Sequence, residues 1–135
     1  MLQVVCFQNL SHFDITFNLI ESPPNYILET YSASAIFAWL SKWHFAHQMG
    51  ILNFSRANLF EVPLELASLN ALTLTEIDFS SNQISIIPDT LARFHYLKTL
   101  LLNDNKLHII ANAVFSLSKL QTLDVHNNCI TGNVA

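Results

Sequence analysis

Between Leu74 and Ile130 one eleven-residue text occurs three times at a fixed interval. It reads L-T-E-I-D-F-S-S-N-Q-I from Leu74, L-K-T-L-L-L-N-D-N-K-L from Leu97 and L-Q-T-L-D-V-H-N-N-C-I from Leu120, with starts 23 residues apart. Each copy fills the template L-x-x-L-x-L-x-x-N-x-L, allowing Ile, Phe or Val for Leu. No other property of the chain limits its fold so strongly. A unit of this length cannot bury its own apolar face, so neighbouring units must stack. Within each unit the L-x-L alternation predicts a short strand with side chains on opposite faces. Leu74, Ile77 and Phe79, Leu97, Leu100 and Leu102, and Leu120, Leu123 and Val125 are expected in a shared core. The stacked strands are expected to form a parallel sheet.

The ninth position carries Asn82, Asn105 and Asn128. There the backbone turns inward, and an amide side chain can satisfy both donors and acceptors that the turn leaves unpaired. A stacked Asn ladder follows, structural in role. Ile84, Leu107 and Ile130 return the chain to the core, and the segments after Ile84 and Leu107 form the opposite side of the stack. Pro88 suits a turn or a first helical position, where its missing N–H costs little.

Two further units carry the pattern less regularly. From Leu10, the residues Leu10, Phe13, Ile15, Asn18 and Ile20 take the template positions, and Pro24 matches Pro88. Asn18 joins the expected ladder. From Met49, the residues Leu52, Phe54 and Leu59 are in core positions, but Ala57 stands where the ladder Asn belongs and Asn58 comes one place late. Either the ladder has a gap there or the turn shifts to use Asn58. The outer loop before Leu74 holds about two extra residues, a cheap insertion. Between 28 and 48 the pattern fails. Ile36, Leu40, Trp43 and His47 instead form a helical stripe, widened by Phe37 and Trp39, with Ser32 or Ser34 available as a cap. This segment reads as an irregular helical insert or a degenerate repeat. The whole of 1–135 is thus expected to be a single repeat domain, with units starting near 10, 49, 74, 97 and 120. The last unit has no polar closing element, so an incomplete solenoid is expected.

Hydrophobic residues make up 51% of the chain and charged residues 12%, enough apolar material for a packed core. A net charge of −4 with no basic run argues against nucleic acid as a partner. The longest apolar stretch, from Ala33 to Leu40, is too short to span a bilayer, so no membrane insertion is expected. The N-terminus lacks the features of a signal peptide. Cys6 and Cys129 lack metal-ligand spacing, and Cys129 is expected to be a buried thiol. Together these features predict a cytoplasmic location. The N-x-S triplets at Asn9 and Asn53 leave an extracellular alternative open.

The repeats resemble the 23-residue leucine-rich repeats of intracellular signalling scaffolds, the Ras-group and Scribble-like proteins. The resemblance is carried by the template itself and by x-x-[IV]-P-x-x-L at Val62–Leu66 and Ile87–Leu91. It covers Met49 to Ile130 well and Leu10 to Ile27 fairly well, with departures at Ala57, at Ala111 in place of the usual Pro, and across 28–48. It implies an α/β solenoid: a right-handed superhelix with a parallel concave sheet and a convex side of helix, 3-10 helix and loop. It also implies that the concave face grips partner proteins.

If that face is the working surface, the site lies at the outward strand positions. The candidate partner-binding residues are Arg56, Glu76, Asp78, Ser80, Lys98, Leu101, Asn103, Asp104, Asp124 and His126. Glu76, Asp78, Asp104 and Asp124 make an acidic stripe relieved by Arg56 and Lys98, which favours a partner with basic and polar groups. Leu101 is the large aliphatic residue among them, and His126 beside Asp124 or Asp104 is placed to titrate. With Gly50 and Gly132 as the two glycines, there is no phosphate-cradling loop and no nucleophile elbow. His44 and His47 share a helix face without further ligands. No cofactor, metal or catalytic residue is expected. The sequence therefore points to a protein-interaction module, an intracellular signalling scaffold or adaptor. A receptor ectodomain fragment, or the recognition part of a kinase, phosphatase or ubiquitin ligase, is the alternative.

Overall fold

A computed structural model describes residues 33–131. The unit expected from Leu10, with Asn18 and the outward residues of its strand, lies outside the described residues. The chain divides into two compact units after Phe45, and each is taken by itself.

Helix α1 spans Ala33–Met49 and runs across that division. In the first unit its buried residues are Ile36, Trp39 and Trp43, while Leu40 is only partly buried. Trp39 and Trp43 meet edge to face, with ring centroids 6.1 Å apart and planes at 61°. The expected stripe through Leu40 and His47 is therefore rotated: Trp39 belongs to the inner face, and His47 is partly exposed. Ser34 lies inside the helix, and Ser32 lies outside the described residues.

In the second unit α1 contributes buried Ala46 and continues through Met49, which is 58% exposed. The repeat expected from Met49 thus opens with the last residue of a helix. Gly50 makes the exit. Its N–H donates to Ala46 O at 2.9 Å, and its φ of 69° lies in the left-handed region. A Cβ there would sit 2.2 Å from the Thr73 carbonyl oxygen. Only glycine combines that φ with that approach.

Four strands follow: β1 (Ile51–Asn53), β2 (Glu76–Asp78), β3 (Thr99–Leu101) and β4 (Thr122–Asp124). They form one parallel sheet in chain order. Ile51, Glu76, Thr99 and Thr122 share one register row, and Asn53, Asp78, Leu101 and Asp124 another. Between the two rows Leu52, Ile77 and Leu100 are fully buried, as the period-two pattern requires. Leu123 holds the same position in β4 but is 38% exposed. Phe54 and Phe79 pack behind the sheet, with ring centroids 6.4 Å apart and planes tilted by 34°.

The return segments are short: 3-10 helices η1 (Leu64–Ser68) and η2 (Asp89–Arg93), then one α-helical turn, α2 (Asn112–Phe115). They start from equivalent residues of equal conformation: Pro63 (φ −60°, ψ 138°), Pro88 (φ −74°, ψ 153°) and Ala111 (φ −63°, ψ 149°). Ala111 reaches the proline geometry without the ring. Leu66, Leu91 and Val114 anchor these segments, followed by Leu69, Phe94 and Leu117. Phe94, which the repeat template does not require, is fully buried. The insertion before β2 is a bend held by Asn70, whose side-chain oxygen accepts from Leu72 N–H at 2.9 Å. It leaves Leu72 exposed.

The ladder is built of bidirectional amides. Asn82 Oδ1 accepts from the N–H groups of Ala57 and Leu59 at 3.1 and 2.9 Å. Its Nδ2 donates to the carbonyls of Phe54 and Phe79, each at 2.9 Å. Asn105 reaches Ile84 N–H, Phe79 O and Leu102 O in the same way, and Asn128 reaches Leu107 N–H, Leu102 O and Val125 O. Each rung thus ties its own turn to the unit before it. At Ala57 the ladder has a gap. Asn58 does not move in to fill it: it is exposed, with φ 55°, and its oxygen accepts from Gln83 Nε2 at 2.9 Å. The residue before each ladder position is left-handed: Arg56, Ser81, Asp104 and Asn127 have φ of 53°, 55°, 57° and 53°. That conformation swings the next side chain inward.

Candidate docking face

The outward side chains of the sheet form a mixed surface of small polar, acidic and apolar groups. Their first task is local. Asn53 Oδ1 accepts from the Ser55 N–H at 2.9 Å and from its hydroxyl at 2.7 Å. Asp78 Oδ1 accepts from Ser80 N–H at 2.9 Å, and Asp124 Oδ1 from His126 N–H at 3.1 Å. An Asx residue two places before an N–H closes the turn at the strand end. The fifth position of the repeat is therefore a turn cap as well as a surface group. The signal for it is in the sequence, as Asx-x-Ser in N-F-S and D-F-S and Asx-x-His in D-V-H.

Leu101 occupies this position in β3 and has no oxygen to offer. It is partly exposed on the outward face, while Leu100 and Leu102 beside it are buried. Glu76 and Lys98 are exposed, with Lys98 just before β3; its backbone carbonyl accepts from Gln121 and Thr122 N–H at 2.8 and 2.9 Å. Ser80 is partly exposed and Arg56 exposed.

The last two repeats gather a polar cluster. Asp104 accepts from Asn103 Nδ2 at 2.7 Å on Oδ2 and from Asn127 Nδ2 at 2.6 Å on Oδ1. Those two amides, then the nearby His126 and Arg56, hold its carboxyl below the usual carboxylate range against the opposing effect of partial burial. Asp124 is lowered too, first by the His126 N–H and then by the His126 ring. The ring Nδ1 stands 2.6 Å from Asp124 Oδ1, and Nε2 lies 3.9 Å from Asp104 Oδ2. His126 is thus set between two carboxylates, both more than a third exposed.

The structure brings Asp78, Leu101 and Asp124 into one register row and joins Asn103, Asp104, Asp124 and His126 in one polar cluster. Arg56 and Ser80 belong to the turns after β1 and β2. Cys129 departs from the buried thiol expected of it: it is exposed, because the residue after each ladder Asn points away from the core, as Lys106 also does. Among the described residues no group of three or more His, Cys, Asp or Glu is placed to hold a metal, and no helix is long and apolar enough to cross a membrane.

A family model described as Leucine Rich Repeat matches residues 73–94, the unit that carries β2, Asn82 and η2. That unit is a leucine-rich repeat. Such repeats generally mediate protein–protein interaction. Among solved structures, the chain is similar to one in the crystal structure of the BIR3–SERK2 complex from Arabidopsis thaliana. Identity is 24% and the TM-score 0.41, over 55% of this chain and 53% of that one. The alignment spans about half of the matched chain. Comparison with curated proteins gives no match.

Proposed function

We propose that these repeats are part of a right-handed solenoid whose concave strand face docks a partner protein. The chain would act as the interaction module of a cytoplasmic signalling scaffold. The observation that carries the reading is the register row Asp78, Leu101, Asp124, with Glu76 and Thr99 beside it. It is a continuous outward surface of rigid strands, acidic around one aliphatic side chain. Rigid backbone and exposed side chains of mixed chemistry suit recognition, because little ordering entropy is lost on binding. Complementary charge then governs encounter rate and partner choice.

Proximity labelling in the source cells tests this, comparing wild type with Asp78→Asn/Leu101→Asn/Asp124→Asn. Asn keeps the turn cap, as Asn53 demonstrates, so the triple variant removes charge and the aliphatic group without removing the turn acceptors. Partners lost from the variant support the strand face. An unchanged partner set refutes it. A second reading, a receptor ectodomain, is favoured by one observation: Asn53 of the N-F-S triplet is exposed. A mass shift on glycosidase treatment, abolished by Ser55→Ala, would decide for it.

A further inference from the structure

We propose that Leu101 is the apolar anchor point of the strand face, and that it receives a protein segment carrying an apolar side chain flanked by lysine or arginine. This rests on the docking reading above and adds the chemistry of the partner. Two observations carry it.

The first is a broken local rule. In β1, β2 and β4 the fifth repeat position supplies the oxygen that closes the following turn, through Asn53, Asp78 and Asp124. Leu101 supplies none, so the Asn103 N–H lacks the acceptor its counterparts have. The core gains nothing in return: Leu101 points outward, and the inner positions are already filled by Leu100 and Leu102. A residue that weakens its own turn without improving the packing marks a position held for something outside the fold.

The second is charge complementarity. Asp78 and Asp124 flank Leu101 in the same register row, each one strand spacing away, about 4.8 Å. Each commits only Oδ1 to its own turn and keeps Oδ2 for another donor. Asp104 is different, since both its oxygens are taken by Asn127 and Asn103. The recognising surface is therefore an aliphatic group between two available carboxylates, with Glu76 on the neighbouring row. An apolar side chain laid on Leu101 would exclude water from both flanks and strengthen ammonium or guanidinium pairing there. His126 already sits against Asp124, so the Asp78 flank is the stronger of the two.

The test uses the full chain and a phage-displayed random peptide library, panned on wild type and counter-panned on Leu101→Asn and on Asp78→Asn/Asp124→Asn. Leu101→Asn restores the missing turn acceptor, so its melting temperature is expected at or above wild type. A fall in binding then cannot be ascribed to unfolding. Wild type is expected to enrich peptides with an apolar residue flanked by Lys or Arg. A synthetic peptide of that consensus should bind each variant about tenfold more weakly or worse.

Absence of enrichment, enrichment without basic residues, or equal binding to Leu101→Asn overturns the proposal. If such peptides are still lost on substituting other strand-face residues, the docking reading survives. Peptides indifferent to every strand-face substitution overturn both. Sedimentation showing a dimer of wild type that Leu101→Asn dissolves would replace the basic segment by a second copy of this chain.

Discussion

Replacing Asn82 by alanine removes five hydrogen bonds, yet those bonds do not weigh equally. Phe79 O also accepts from Asn105 Nδ2 at 2.9 Å, so it stays paired. Ala57 N–H is only part-buried and can turn to water. Leu59 N–H is the group that suffers: it is buried, and Asn82 Oδ1 at 2.9 Å is its acceptor. A buried donor left unpaired costs about 1–3 kcal/mol, and the space left by the amide adds about 1 kcal/mol. The expected loss is therefore about 2–4 kcal/mol. Asn105→Ala strands Ile84 N–H in the same way and should cost a similar amount. Asn128 is only part-buried and water can replace its rung, so Asn128→Ala should cost about 1 kcal/mol. Gln83 provides the control. Its bonds to Asn58 and Lys106, at 2.9 and 3.1 Å, have similar geometry but are exposed, so Gln83→Ala should stay within about 0.5 kcal/mol of wild type. Urea unfolding followed by far-ultraviolet circular dichroism measures all four variants. If Asn128→Ala proves as damaging as Asn82→Ala, or Gln83→Ala as damaging as either, burial is not what gives the ladder its strength and the reasoning fails.

Gly50→Ala meets both a left-handed φ and the Thr73 carbonyl, and should destabilise by about 2–4 kcal/mol in the same assay; a loss below 1 kcal/mol would contradict the close approach. Ala111→Pro should stabilise by about 0.4–1 kcal/mol, since the backbone already has the angles of Pro63 and Pro88; a lowered melting temperature would show that the Ala111 N–H is needed. Asp104 and Asp124 have folded-state pKa values below their unfolded ones, so their contribution is complete above the unfolded carboxylate range, about pH 4, and is lost as pH falls through the folded values. Asp104→Asn/Asp124→Asn should therefore show a shallower loss of stability than wild type from about pH 5 to pH 2. Parallel acid limbs would refute the assignment.

The strand rows and the ladder were legible because two periods coincide in the sequence. An alternation of two set which side chains point inward, and an interval of 23 residues set which strands lie in register. The phase of α1 was not legible. Its 17 residues carry one formal charge, Lys42, and apolar side chains almost all round, so Leu40 and Trp39 fit an inner stripe equally well on paper. Nor did the text around Ala57 say whether Asn58 would replace it, because that depends on the left-handed turn at Arg56 and on the pairing of Asn58 with Gln83. On the candidate face, the Asp residues look like solubilising charge until their distances to the following N–H groups are known. Lysine at Asp78 and Asp124 would break two turns as well as invert two charges, whereas asparagine separates the two effects.

Each ladder amide also completes a turn that was made earlier in the chain. Leu59 N–H waits for Asn82, 23 residues later. On a ribosome adding about 5–20 residues per second, that is a delay of roughly one to five seconds. During it the newest turn is fully made of its own residues yet still short of its partner. The growing end of such a protein is thus always one unit less stable than the part behind it. A chaperone would meet one incomplete turn at a time, moving along the chain as synthesis proceeds.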